Sequence, residues 1–204
     1  MSEEQKTETK SPEWTPEQMV LWQRKKCQES LDMAVCEQKG RAGQQMDYVE
    51  HVYVRARLNE IFGPHGWSSE TVDGPTEVFG EIGLKQDYQT KRCMPVYRCG
   101  WICKVKLIIR WADGRETCHT GTGFCTGTAN PHVPQDAPEG ARAIHFTDRE
   151  SPIDMACKGA ESDAFKRAAS NLGWSFGLAL YQKPDKREHV FDSRQQRANR
   201  GAPQ

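Results

Sequence analysis

Residues Trp101–Trp111 read WICKVKLIIRW. Trp101, Cys103, Val105, Leu107, Ile109 and Trp111 fall on one side of an extended chain. Lys104, Lys106 and Arg110 fall on the other, with Ile102 and Ile108. A period of two predicts a β-strand with one covered face and one face carrying cations. Asp113-Gly114 follows, the dipeptide favoured in tight hairpin turns, and Arg115 to Cys125 reads as a Thr-rich return strand. Upstream, Trp67 to Val72 and Glu77 to Leu84 read as two further strands. The expectation is an antiparallel sheet of three to four strands.

Helices flank this sheet. Thr15 can cap a helix, Pro16 suits its first position and Gln18 completes a capping-box pattern. That helix is expected to run to about Glu37, before the turn in KGRAGQQ. A second helix is expected from Asp47, with Glu50 three residues on, to Ile61-Phe62, where Gly63 and Pro64 stop it. Its apolar residues (Val49, Val52, Val54, Leu58, Ile61, Phe62) wrap most of its circumference, which predicts cover on more than one side, a neighbouring subunit included. A third helix is expected from a Ser151 cap with Pro152 and Asp154 behind it. Its stripe is Ile153, Cys157, Ala160, Ala164, Ala168 and Leu172, closed by Gly173. The fold class is α+β, a sheet packed on helices.

A chain of 204 residues fits one domain with tails. Residues 1–14 read as an acidic disordered segment and residues 15–182 as the core. Residues 183–204, with a net charge of +3, read as a basic, disordered tail. Residues 126–150 hold Pro131, Pro134 and Pro138 and read as a long loop. Lys+Arg 28 balances Asp+Glu 28, so the chain is no bulk polycation. Mean hydropathy is −0.80, and no apolar run approaches the ~18 residues of a membrane span. The polar N-terminus, MSEEQKTETKSPEW, is unlike a secretory signal. An intracellular location follows: cytoplasmic in a bacterium or an infected host cell, nuclear or mitochondrial in a eukaryote. The eight cysteines then read as reduced thiols. Cys93, Cys99, Cys103, Cys118 and His119 match no common zinc framework, so no metal or other cofactor is expected.

Signs of catalysis are missing. The sequence holds no nucleophile elbow, no phosphate-binding loop and no HExxH pair. GTGFCTG at 121–127 lacks the Lys-Ser/Thr of a phosphate loop and reads better as a strand whose backbone is closely approached. The basic residues are more informative. Lys158, Ser162 and Lys166 form a row on the third helix, directed away from its alanine stripe and flanked by Arg167. Lys104, Lys106 and Arg110 share one face of the sheet, and Arg55 and Arg57 sit on the second helix. Cations in line can track a nucleic-acid backbone. A solvated surface is the alternative. Tyr48 and Tyr53, near the helix-two arginines, are candidates for base stacking, whereas Trp67, Trp101, Trp111, Trp174 and Phe176 read mainly as core.

Two segments carry a resemblance. One is Tyr48-Val49-Glu50 through Leu58-Asn59-Glu60-Ile61-Phe62-Gly63-Pro64-His65-Gly66-Trp67; the other is Ser162-Asp163-Ala164-Phe165-Lys166-Arg167-Ala168-Ala169-Ser170-Asn171-Leu172-Gly173. As an ordered pair with a β-hairpin between them, they resemble the core of the Rad-fifty-two family of single-strand DNA annealing proteins, over roughly residues 45–182. The resemblance implies a ββ(β)α core that assembles into an oligomeric ring or helical filament, with single-stranded DNA in a basic groove. It implies ATP-independent annealing in homologous recombination and repair, without enzymatic activity, and working partners such as a single-strand-binding protein or an exonuclease. Lys166 and Arg167 match the family's DNA-contacting pair, and Lys158 falls at a basic position. Lys104, Lys106, Arg110, Arg55, Arg57 and Tyr53 would support them. Tyr53 stands where eukaryotic members have a groove arginine, and Ser170 where some relatives have another. The compact length resembles a phage or bacterial version. Two other readings stay open: an RNA- or DNA-binding module without annealing activity, and a metal-dependent enzyme built on the central cysteines.

Overall fold

A computed structural model describes residues 14–41, 44–86, 93–129, 150–182 and 188–193. Helix α1 (Pro16–Cys27) starts with the expected capping box. The Gln18 amide donates to Thr15 Oγ1 at 3.3 Å, and the Thr15 amide donates to Gln18 Oε1 at 3.0 Å. It ends ten residues earlier than the sequence reading placed it. Beyond it, Leu31–Asp32 form the short strand β1, with Leu31 fully buried. The Asp32 carboxylate accepts from the Ala34 amide and opens a single turn at Met33–Val35.

The next segment is a hairpin that replaces two expected helical stretches. Strand β2 (Cys36–Arg41) pairs antiparallel with β3 (Gln44–Val49), setting Asp47 opposite Gln38. Helix α2 (His51–Phe62) therefore starts after Glu50, not at Asp47. Its end is as expected: Gly63 adopts φ +74°, and its amide donates to the Asn59 carbonyl at 2.9 Å. Val54, Leu58, Ile61 and Phe62 are buried, while Val52 is 66% exposed. Among the described residues, α2 is covered on one side only.

Strands β4 (Trp67–Gln86), β5 (Cys93–Arg110) and β6 (Glu116–Ala129) form an antiparallel sheet in the order β4-β5-β6. The two upstream strands of the sequence reading are one. Register shifts between Thr71 and Asp73, Asp73 and Thr76, and Glu77 and Phe79 absorb the Gly74-Pro75 interruption as bulges. The strand continues because pairing with β5 resumes on either side. β6 likewise extends through 126–129, and residues 130–149 of the expected loop lie outside the described residues. The alternation in β5 is realised: Cys103, Val105, Leu107 and Ile109 are buried, and Lys104 and Arg110 are exposed. At the turn, Gly114 adopts φ +83° and Asp113 Oδ1 accepts from the Arg115 amide.

Helix α3 (Glu150–Ser170) lies on the buried face. It already includes Ser151, so that residue is inside the helix and not before it. Its sheet-facing stripe is Ala156, Ala160, Ala164 and Ala168, with Ile153 and Cys157 only half-buried. The GTGFCTG stretch explains the choice. A Cβ at Gly123 would lie 2.1 Å from the Ala160 carbonyl oxygen and 2.3 Å from the Ala164 nitrogen. Glycine opposite alanine lets the helix backbone approach the strand this closely.

After α3, short turns at Trp174–Phe176 and Leu178–Tyr181 close the core. Part of the expected tail is structured. Val190–Phe191 (β7) pairs parallel with β1, and His189 stacks on Trp174 at 4.4 Å. Residues 1–13, 183–187 and 194–204 of the expected tails lie outside the described residues.

Candidate nucleic-acid interface

Two clefts flank α3. The first, about 250 Å³, lies between α3, the end of β3 and the turn at Leu178–Tyr181. It is lined by Asp47, Tyr48, Asp163, Lys166, Arg167, Ser170 and Tyr181. Lys166 does not stand outward in a row with Lys158, as the sequence reading had it. It is only 8% exposed, and its ammonium lies 3.1 Å from the centroid of the Tyr48 ring. Residue 166 adjoins the buried positions 165 and 169, so tertiary packing turns it under β3. A cation over an aromatic face is favourable, the more so when partly desolvated. Arg167 Nε donates to Asp163 Oδ2 at 2.8 Å, and this bond together with the aspartate's charge holds the guanidinium more basic than usual. The Phe124 amide of β6 reaches the same carboxylate oxygen at 3.4 Å.

The second cleft, about 350 Å³, opens between α2, β4 and α3. His51 and Arg55 come from α2, Ser69 and Thr71 from β4, and Lys158, Glu161, Ser162 and Phe165 from α3. The Arg55 guanidinium sits 5.4 Å from the Phe165 ring centroid and 5.8 Å from that of Trp67. Its Nε donates to His51 Nε2 at 3.3 Å, and His51 meets Phe165 edge-on at 4.8 Å. Lys158, 75% exposed, pairs with Asp154 at 2.7 Å.

The remaining expected contacts lie elsewhere. Lys104, Lys106 and Arg110 occupy the sheet face opposite α3, with Lys106 3.8 Å from Glu70 and Arg110 2.8 Å from Glu116. Within one chain they do not converge with the cations of α3. Arg57 is turned away from Arg55, since positions two apart on a helix face different ways. Its guanidinium, 11% exposed, bridges Glu29 and Glu60 and donates to the Lys26 carbonyl, tying α2 to the end of α1. Tyr53 packs half-buried against the core, and burial raises its phenol's pKa. His51 and Glu161 are cleft residues that the sequence reading did not single out. The i, i+4 spacing of His51 and Arg55 was the available signal.

The eight cysteines are free thiols. Among the described residues, no group of three or more His, Cys, Asp or Glu side chains converges as a metal site. No described helix is long and apolar enough to cross a membrane.

An α+β chain with a three-stranded antiparallel sheet, a long helix laid on glycines and cation-lined clefts beside that helix defines the architecture. Residues 23–199 match the model of the Rad52/22 family double-strand break repair proteins, and the chain belongs to that family. Membership supports a role in recombination and DNA repair. No curated protein matches the chain.

Proposed function

We propose that the protein binds single-stranded DNA and promotes ATP-independent annealing of complementary strands, without catalysing bond chemistry. The observation that carries this reading is the placement of cations in clefts on both flanks of α3 in a chain of a recombination and repair family: Lys166 and Arg167 on one side, Arg55 and Lys158 on the other. Phosphates must compete with Asp163 for Arg167 and with Asp154 for Lys158. The Lys158–Asp154 pair is exposed, and such pairs are worth about 0–1 kcal/mol, so a phosphodiester can displace Asp154 at little cost; Asp163 is partly buried and also accepts from the Phe124 amide, so it holds Arg167 more firmly. Base pairing supplies the free energy of annealing, while the protein contributes charge neutralisation and alignment.

Assembly belongs to the same proposal. β4 and β6 are edge strands of the sheet, and β4 exposes Val72, Val78, Ile82 and Leu84. Exposed apolar edges favour strand addition from a neighbouring copy. A ring or helical filament would repeat the clefts along a strand and could bring Lys104, Lys106 and Arg110 of one copy beside α3 of the next. Arg57 and Tyr53 would then serve by positioning α2.

The test is an annealing assay with two complementary labelled oligonucleotides, without nucleotide. Faster pairing with the wild-type chain, lost in the K166A/R167A double variant, is the expected result. Binding without acceleration would reduce the function to a nucleic-acid-binding module, and full activity in the double variant would reject the site.

A further inference from the structure

His51 and Arg55 lie one turn apart on α2, line the larger cleft and meet there in an exposed hydrogen bond. The Arg55 Nε–H donates to His51 Nε2, which requires an imidazole with a lone pair on that nitrogen, hence the neutral form. Among the described residues, Arg55 has no carboxylate partner, in contrast to Arg57, Arg110, Arg115 and Arg167. Its charge is instead held against the rings of Phe165 and Trp67. The groups facing His51 are Arg55 on its own helix and Glu161 and Lys158 across the cleft on α3. β4 contributes only the Ser69 and Thr71 hydroxyls, and β5 the Val105 side chain. Lys158 is already paired with Asp154, so among the described residues Arg55 is the cation that the cleft leaves without a carboxylate, beside hydroxyls that can donate to an anion.

We infer that this cleft is a subsite for a DNA backbone phosphate, in which one phosphate oxygen sits between Arg55 and His51 and binds together with a proton on His51. The inference rests on the single-stranded DNA reading above. In the free protein, protonating Nε2 would set two donors against each other and break the Arg55 bond. A phosphate oxygen inserted between them accepts from both, and its charge offsets that of the imidazolium. The proton comes from solvent and resides on Nε2, so occupation of the subsite takes up at most one proton. Burial, and then the Arg55 charge, hold the free imidazole below its ordinary basicity, with Glu161 acting in the opposite sense. A bound phosphate raises that basicity. The complex therefore holds more protons than the free protein, and affinity increases as pH falls through the histidine range.

The experiment measures binding of a labelled oligothymidylate, whose bases do not titrate in this window, at constant ionic strength at about pH 6 and about pH 8. Wild type should bind roughly fivefold tighter at the acid end. His51→Gln, which can still accept from Arg55 but carries no titrating group, should lose most of that dependence. In parallel, the His51 imidazole resonance of the wild-type protein should titrate at higher pH with oligothymidylate bound than without it, a readout that needs no variant. Tight binding with the same pH slope in His51→Gln, or an unmoved resonance, overturns the subsite while leaving DNA binding intact. An equal shift with inorganic phosphate at matched phosphate concentration assigns the cleft to free anions and also overturns it. Absence of oligothymidylate binding at either pH removes the DNA reading itself, and this inference with it.

Discussion

The ammonium of Lys166 lies 3.1 Å from the centroid of the Tyr48 ring, which joins the C-terminal part of α3 to the end of β3. A lysine so buried has its stem packed and its ammonium held against the Tyr48 ring, at the lining of the smaller cleft. Lys166→Met keeps the stem and removes the charge. Single-stranded DNA affinity should fall several-fold for all sequences, and the slope of log K against log salt should decrease by about one. Binding titrations at several salt concentrations would show it, and an unchanged slope would exclude Lys166 as a phosphate contact.

Gly123→Ala tests the seating of α3 on the sheet. The new methyl would meet the Ala160 carbonyl oxygen at 2.1 Å and the Ala164 nitrogen at 2.3 Å, both backbone atoms that cannot swing aside. Overpacking of this kind costs about 1–3 kcal/mol. Thermal or urea unfolding should report a clear loss of stability. Gly114→Ala, where a Cβ meets nothing within 4 Å but φ is +83°, should cost less, about 1 kcal/mol of backbone strain.

Glu29 supplies an acid-sensitive tie between α1 and α2. Burial tends to raise its pKa, but hydrogen bonds from Lys26 and Arg57, reinforced by their charges, hold it below the usual carboxylate value. A carboxyl lowered in the folded state stabilises above its unfolded pKa, and that contribution is lost as pH falls through the folded one. Wild type should therefore melt higher than Glu29→Gln near neutrality, and the gap should close in acid. A gap independent of pH would show that the charge contributes nothing.

Cys27 should be the slowest thiol to react. It is 1% exposed, and burial, partly opposed by the Arg57 charge, pushes its pKa up to about 12. Exposed Cys93 and Cys118 should take up iodoacetamide first, with Cys27 modified only as the chain unfolds. Mass spectrometry of timed samples separates the sites. Because the unfolded thiol ionises at lower pH than the folded one, this thiol's contribution to stability should decline above the ordinary thiol range.

The parts of the fold legible in the sequence are those governed by near neighbours. The capping box at Thr15 and Gln18, the stop at Gly63, the alternation of Cys103 to Ile109 and the tight turn before Arg115 each depend on a few adjacent residues. The errors fall where distant pairing outweighs local pattern. Cys36-Glu37 and Asp47–Val49 read as helix ends flanking a turn, yet they belong to the strands of a hairpin because each segment satisfies the other's backbone groups. β4 runs through Gly74-Pro75 because β5 holds it on both sides of the interruption.

The candidate site divides in the same way. Lys158, Lys166, Arg167 and Arg55 could be singled out as cations on helices from sequence, and the family likeness was carried by two short segments whose residues also build α2 and α3. The cleft each cation enters, and the carboxylate or ring that holds it, were settled by packing between segments far apart in the chain. Arg57 is drawn to Glu29, Lys166 to Tyr48, and His51 and Arg55 to the wall built by Glu161, Ser162 and Phe165. Sequence spacing reports direction around a single helix; charge acts through distance, and only the folded chain sets the distances between helices.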